Sequence, residues 1–230
     1  MQEKFDERTL RVFPYVIFVM LISLMISMIS PIISLMVGGN TSDANLYQMN
    51  DSLYMTCYVI AYMAIVWMLS CLYHLSPMTK WFNFSYHMTL AYIISESVCY
   101  VLKWTTNVFG RYAFIRIFYF ISRFVPTICV MLMLAYILHG ISDIYEEMEK
   151  KAKCIFIRKL EVFWIAAFVA QIILNIIIST GISTEEYSLV YSTLTIGIYL
   201  YNSVVMIILY RNVKRFCYEY YLYSYNSMTR

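Results

Sequence analysis

Six long apolar runs occupy most of this chain, each near the length of about 20 residues that an α-helix needs to cross a bilayer. Hydrophobic residues make up 61% of the sequence and charged residues 13%, whereas soluble domains are about half apolar and about a quarter charged. The gaps between the runs are too short for an aqueous domain with its own core. We therefore predict an all-α, polytopic membrane helical bundle with six transmembrane helices. The runs cover residues 12–37, 53–75, 84–102, 113–139, 156–179 and 187–210.

The positions of Lys and Arg predict the orientation of this bundle. The linker GISDIYEEMEKKAKCIFIRK and the segment RNVKRF after the last run are rich in bases, which collect on the cytoplasmic side of membrane proteins. The loops GGNTSDANLYQMNDS and GISTEE contain no Lys or Arg. With six spans, we expect both termini to be cytoplasmic and the protein to lie in the cell membrane as a multi-pass chain. The expected parts are a cytoplasmic N-terminus (1–11), a single transmembrane domain (12–210) and a cytoplasmic juxtamembrane tail (211–230).

Two charged side chains, Glu96 and Arg123, lie farther from the ends of their apolar runs than the other charged residues do, at a depth where each costs at least about 2.5 kcal/mol. Glu96 interrupts the third run, TLAYIISESVCYVLKW, and Arg123 interrupts the fourth, FYFISRFVPTICVMLMLAY. In antiparallel neighbouring helices the two residues reach similar depth, so we expect them to pair. Two interpretations stay open: a clasp that fixes the register of two helices, or part of a ligand site.

Two amides on the fifth run favour a ligand site. Gln171 and Asn175 in AAFVAQIILNIIIST are four residues apart, so they share one helix face. Together with Glu96 and Arg123 they form the predicted ligand-binding set, in the outer half of the bundle. Amides in membrane helices also serve as hydrogen bonds between helices, worth about 1 kcal/mol each, and this alternative stays open.

The sequence lacks the patterns of catalytic and metal sites. It contains no HxxH, HExxH or GxSxG motif, and its six Cys form no CxxC pair. We therefore expect no enzyme activity, no metal and no cofactor. Nucleic-acid binding has no support, so the expected partners are membrane lipids and either a cytoplasmic signalling partner or a second copy of the chain.

Two local patterns predict further features. Glu146 and Lys150, like Glu147 and Lys151, are acid and base at i and i+4, which favours a helix that protrudes into the cytoplasm. The preferred alternative is a solvated extension whose bases also enforce the cytoplasmic orientation. The four Trp fall near proposed span ends, which is typical of an interfacial aromatic belt. They are Trp67, Trp81, Trp104 and Trp164.

Three stretches give the chain a family resemblance: LAYIISESVCYVLKW, IRIFYFISRFVPTICVMLMLAYILHGISDIYEE, and a last run that leads into YRNVKRF. Over about residues 53–216 the chain resembles the multi-helix membrane input region at the N-terminus of Gram-positive bacterial sensor proteins with diguanylate cyclase or histidine kinase outputs. The resemblance implies a sensory or receptor-like module that detects a ligand or membrane state and signals through its cytoplasmic tail or a partner.

The chain departs from that family after its last run. In such sensors the last span continues into an output domain, whereas here CYEYYLYSYNSMTR follows, with no GGDEF-like motif and no phosphoacceptor His region. We therefore expect either a sensor that acts through a partner or a truncated chain.

Two other functions stay open. Many transporter or permease subunits are six-span chains, and a charged pair with nearby amides suits a substrate route. A structural subunit of a membrane complex is the other alternative, because the aqueous part is small and many Met and aromatic side chains are available to face partner helices.

Overall fold

The computed structural model is all-helical, with no strand among the residues that it describes. It describes the backbone of residues 7–37, 44–109, 118, 121–122, 124–179 and 188–228. Side chains are described for residues 8–23, 55–103, 105, 118, 121–122, 124–173, 176, 193–194, 196–198 and 200–225. The all-α prediction is confirmed over this part of the chain.

Six helices follow one another in the described ranges. They are α1 (Glu7–Val37), α2 (Ala44–Leu75), α3 (Lys80–Phe109), α4 (Phe124–Glu147), α5 (Lys151–Ser179) and α6 (Ser188–Met228). Three of them contain described segments that are long and apolar enough to cross a membrane. These segments are Met55–Leu75, Phe124–Glu147 and Ile196–Tyr225. The six-span topology and the cytoplasmic position of both termini stay predictions.

The break between α2 and α3 follows from local chemistry. Pro77 has no backbone N–H and cannot continue α2, which ends at Leu75. The Thr79 hydroxyl then accepts a hydrogen bond from the Phe82 amide at 3.3 Å, which caps the first turn of α3. Pro77 and the Thr79 cap therefore fix the residues at which α2 ends and α3 begins.

A tight turn at residues 148–150 separates α4 from α5. Glu149 has a φ of 60°, the left-handed conformation that usually ends a helix at Gly. Its amide bonds the carbonyl of Glu146 at 3.0 Å, and the Lys150 amide bonds that of Tyr145 at 2.9 Å. This pair of bonds is a Schellman motif, which satisfies the last carbonyls of α4 and offsets the cost of about 1–2 kcal/mol for a left-handed Glu.

The predicted protruding helix across YEEMEKKAK is therefore wrong, because the chain reverses in the middle of it. Glu146 does not use Lys150 as its partner at i+4. Its carboxylate accepts a hydrogen bond of 2.7 Å from Arg158 Nη2 on the first turns of α5. Glu146 of this segment thus connects α4 to α5.

The chain divides into two compact units. The first contains Met1–Trp67 and Val162–Arg230, and the second contains Met68–Glu161. Helix α1 packs closely along α6 within the first unit, and α3 packs closely along α4 within the second. The single transmembrane domain over residues 12–210 stays a prediction.

One face of α3 packs against α4, and we call this row of side chains the α3 seam. Its members recur every three or four residues, which places them on one side of a helix. The Ser85 hydroxyl donates to the Met133 carbonyl at 2.9 Å, and the Cys99 thiol donates to the Ser122 carbonyl at 3.1 Å. Small side chains let the two backbones approach closely. The buried members of the seam are Phe82, Ser85, Thr89, Tyr92 and Cys99.

Gly140 lies where α4 closely approaches the start of α3. A Cβ added there would lie 3.0 Å from Thr79 Oγ1 and 3.1 Å from a ring carbon of Phe82, which is fully buried. We expect Gly140→Ala to lower the free energy of unfolding, since overpacking costs about 1–3 kcal/mol and exceeds the gain of about 1 kcal/mol in helix propensity. Thermal unfolding in detergent, followed by circular dichroism, measures this change.

Gly197 in α6 supplies the matched control. Within the described part of the chain, nothing lies within 4 Å of a Cβ added at this position. Gly197→Ala should therefore raise stability by about 0.5–1 kcal/mol through reduced backbone entropy in the unfolded state. Equal stabilisation by both variants would contradict the close approach of α4 to Phe82.

Helices α1 and α6 run antiparallel. The rings of Phe18 and Tyr210 lie 4.7 Å apart, and the Arg11 guanidinium lies 5.6 Å from the centre of the Tyr221 ring. The beginning of α1 therefore lies beside the later part of α6. Apolar side chains at a spacing of three and four residues form the contact. They include Phe13, Ile17 and Met20 of α1 and Met206, Leu209, Val213 and Phe216 of α6.

The burial of Trp164 shows that the four Trp do not all belong to an interfacial belt. Its side chain is 0% exposed, and its ring centre lies 4.4 Å from that of Phe168. Trp67, by contrast, is 57% exposed. Trp164 therefore belongs to the core of the first unit and does not face a membrane interface.

Candidate functional site

Glu96 lies on the face of α3 that packs against α4. It follows Tyr92 by four residues and precedes Cys99 by three, and both of these neighbours are buried in the α3 seam. The Glu96 side chain is half-buried, and its Oε1 accepts a hydrogen bond of 3.4 Å from the Tyr92 hydroxyl. The carboxylate therefore lies between helices, as a charged group within an apolar helix pair is expected to.

Arg123 lies outside the described residues, so its pairing with Glu96 stays a prediction. The neighbouring Ser122 is described, and its carbonyl contacts the Cys99 thiol. Counting three residues back from Cys99 and three forward from Ser122 in this antiparallel pair places Glu96 near the level of Val125.

Gln171 forms a hydrogen bond between helices in the first unit. Its Oε1 accepts a bond of 2.9 Å from Asn202 Nδ2, which joins α5 to α6. Asn202 is fully buried among apolar neighbours, including Val205 and Met206 of its own helix. This bond matches the alternative in which amides join membrane helices, and the ligand-binding role of Gln171 stays a prediction.

The other oxygen of this amide pair has no hydrogen-bond donor among the described residues. Among the described residues, Asn202 Oδ1 is the one buried side-chain N or O atom that lacks a hydrogen bond. An unsatisfied buried carbonyl costs about 1–3 kcal/mol, and such groups are rare in native proteins. The Asn202 carboxamide therefore has an acceptor that no described protein group satisfies inside the helix packing.

Asn175, the remaining predicted residue, is described in its backbone alone. Asn175 lies within α5, one turn after Gln171, and its side chain lies outside the described residues. Glu96 belongs to the second compact unit, whereas Gln171 and Asn175 belong to the first. A single site that combines all four predicted residues stays a prediction.

A second polar cluster joins α4 to α5 beside the turn at residues 148–150. The Arg158 Nε donates to the Ser142 hydroxyl at 3.0 Å, and Ser142 Oγ lies 3.2 Å from the Cys154 thiol. One turn further, His139 Nδ1 and Glu161 Oε2 are 3.1 Å apart. Ser142 is fully buried, so this cluster fixes the register of the α4–α5 hairpin.

The ion pair of this cluster adds little stability. Arg158 and Glu146 expose 51% and 62% of their side chains, and exposed pairs contribute below about 1 kcal/mol. The ring of Trp81 lies 4.1 Å from that of His139, which covers one side of the imidazole. This arrangement supports a structural role at the hairpin.

Comparisons with known proteins identify no relative for this chain. No family model, no curated protein and no solved structure matches it. Any functional conclusion therefore depends on the residues and their contacts.

Sequence reasoning missed two groups of residues that the structure brings together. Asn202 interrupts the last apolar run, and that signal was sufficient to include it beside Gln171. The hairpin cluster was hidden because the i to i+4 pairs around Glu146 favour a continuous helix. His139 and Glu161 become neighbours only once the chain reverses at Glu149.

Proposed function

We propose that this chain is an integral membrane protein with six spans and a sensory or receptor-like role, in which buried polar groups respond to a ligand or membrane state and α6 transmits the response. Apolar side chains exposed along the helices support the membrane placement, since soluble proteins rarely expose contiguous apolar surface. On one face of α6 these are Leu200, Val204 and Ile207.

The length and composition of α6 support a role in transmission. It contains 41 residues, or about 60 Å of continuous helix, whereas the hydrocarbon core of a bilayer is about 30 Å thick. The apolar part is followed in the same helix by the exposed bases Arg211, Lys214 and Arg215. A displacement near Asn202 would therefore reach the basic end through one rigid element.

The observation that carries the proposal is the buried Asn202 amide. A receiver needs an element with two arrangements that the signal stabilises differently. Asn202 has two polar atoms and one partner, Gln171, so an arrangement in which the free Oδ1 gains a donor competes with the present one. Because Asn202 lies on α6, an exchange that carries this residue toward a new donor would move the helix that leads to the basic end.

Distance measurement across the first unit tests this exchange. Val19→Cys on α1 and Tyr225→Cys on α6 place exposed thiols for spin labels, while all six native cysteines are buried and react slowly. In proteoliposomes we expect two populations of the label–label distance in the wild type. The double variant Gln171→Met/Asn202→Leu, which has no amide pair to rearrange, should show one.

A matched variant on the same helix controls for the Asn to Leu exchange. The Asn212 amide donates to the Ile208 carbonyl within its own helix at 2.7 Å, so Asn212→Leu should leave both populations unchanged. The Tyr225→Cys label also reports topology, because an impermeant maleimide should reach it only after permeabilisation. A single distance, identical in wild type and double variant, would refute the transmitting role of α6.

A further inference from the structure

A groove of about 480 Å³ lies where the beginning of α1 meets the later part of α6. Its volume falls within the range of about 300–1,000 Å³ that is typical of small-ligand sites. The described lining residues include two bases, Arg11 and Lys214, and no acid. Three tyrosines, Tyr15, Tyr218 and Tyr221, supply aromatic walls. The groove therefore favours a ligand with negative charge and apolar surface.

The exposed side chains of both helices change from basic to apolar near this groove. On α1, the exposed side chains beyond Arg11 are apolar, as at Phe18 and Ile22. On α6, the exposed Val204 and Ile207 give way to bases from Arg211 onward. The contact between Phe18 and Tyr210 places these two changes within about two helical turns of each other along the antiparallel pair. Such a boundary is where the acyl region of a bilayer meets its headgroups.

We propose that this groove binds an anionic phospholipid, with its phosphate between Arg11 and Lys214 and its acyl chains along the exposed apolar faces of α1 and α6. This inference rests on the membrane placement in the proposed function. Basic pockets between membrane helices are suited to anionic headgroups, and tyrosines prefer the interface at which the headgroup lies. A soluble anion of the same charge would match the two bases but would leave the apolar faces uncovered.

The position of Arg11 adds a specific role for Tyr221. The guanidinium lies 5.6 Å above the centre of the Tyr221 ring, so a cation–π contact joins two residues that line the groove. The bound lipid would therefore contact α1 through Arg11 and α6 through Lys214. Such a ligand bridges the two helices and stabilises their packing at the end through which the proposed response leaves the membrane.

Native mass spectrometry of the purified full chain tests the site, with phosphatidylglycerol and phosphatidylcholine titrated separately. We expect the first phosphatidylglycerol to bind more tightly than phosphatidylcholine. In Arg11→Gln/Lys214→Gln the affinity for phosphatidylglycerol should fall about 30-fold, from the loss of two bases near the membrane surface. The control Lys151→Gln/Lys159→Gln removes the same charge from exposed positions of α5 and should keep the wild-type affinity.

Two further arms separate the outcomes. Inorganic phosphate at the same concentration should not displace phosphatidylglycerol, and displacement would overturn the lipid assignment in favour of a small-anion site. Carbonate extraction of membranes reports insertion independently of lipid binding. If every variant stays in the membrane and phosphatidylglycerol affinity is equal in both double variants, the groove proposal fails while the membrane placement stands; extraction of the wild type would instead refute the placement.

Discussion

Replacement of Trp164 by Ala should lower the free energy of unfolding by about 3–5 kcal/mol, the loss typical of a large aromatic side chain removed from a core. Trp164 is fully buried, and its ring packs against that of Phe168 with centres 4.4 Å apart. The variant loses both the free energy gained by burying the indole and the aromatic contact with Phe168. Unfolding in detergent, followed by circular dichroism, measures the difference.

Trp67→Ala is the matched control for this experiment. Trp67 is 57% exposed, so the same chemical change should alter the unfolding free energy by less than about 1 kcal/mol. Trp164→Phe keeps most of the aromatic volume and should give a smaller loss than Ala, which provides a measurable variant if Trp164→Ala does not accumulate. Equal losses at positions 164 and 67 would show that Trp164 lies at a surface.

Helix content followed from the sequence because each apolar run has the length of a membrane-crossing helix and little Gly or Pro. The residues at which the helices begin and end could not be predicted from the apolar runs. Helix α1 begins at Glu7, ahead of its predicted run, and α6 continues to Met228, far beyond residue 210. Polar residues can extend a helix outside the apolar run, and hydropathy carries no signal for that extension. Local turn chemistry at Glu149 likewise outweighed the favourable charge spacing around it.

Part of the candidate site was also predictable. Glu96 and Gln171 stand out because a polar group in an apolar run needs a partner, and both have one. The partner of Gln171 was not predicted, because helix spacing relates residues within one helix and says nothing about which neighbour faces them. For the same reason Trp164 was assigned to the interface, since core-facing and lipid-facing positions are equally apolar.

The amide pair between α5 and α6 should show an asymmetric response to replacement. In Gln171→Met, Asn202 Nδ2 loses its acceptor and joins Oδ1 as a second unsatisfied buried atom, so stability should fall by about 1–3 kcal/mol. In Gln171→Met/Asn202→Leu no buried amide remains, and Leu has the branching and heavy-atom number of Asn. The double variant should therefore recover this loss and exceed the wild type by about 1–3 kcal/mol.

This order of stabilities distinguishes a responsive group from a scaffold. A group that only holds helices together stabilises the protein, so its removal should cost stability. A group that is retained for its response destabilises the folded protein. Its removal should therefore raise the free energy of unfolding and abolish the response. Reversible unfolding of the wild type, Gln171→Met, Asn202→Leu and the double variant measures all four corners of the cycle. A double variant less stable than Gln171→Met alone would mean that Asn202 Oδ1 is satisfied in the folded protein, and the exchange proposed for α6 would lose its physical basis.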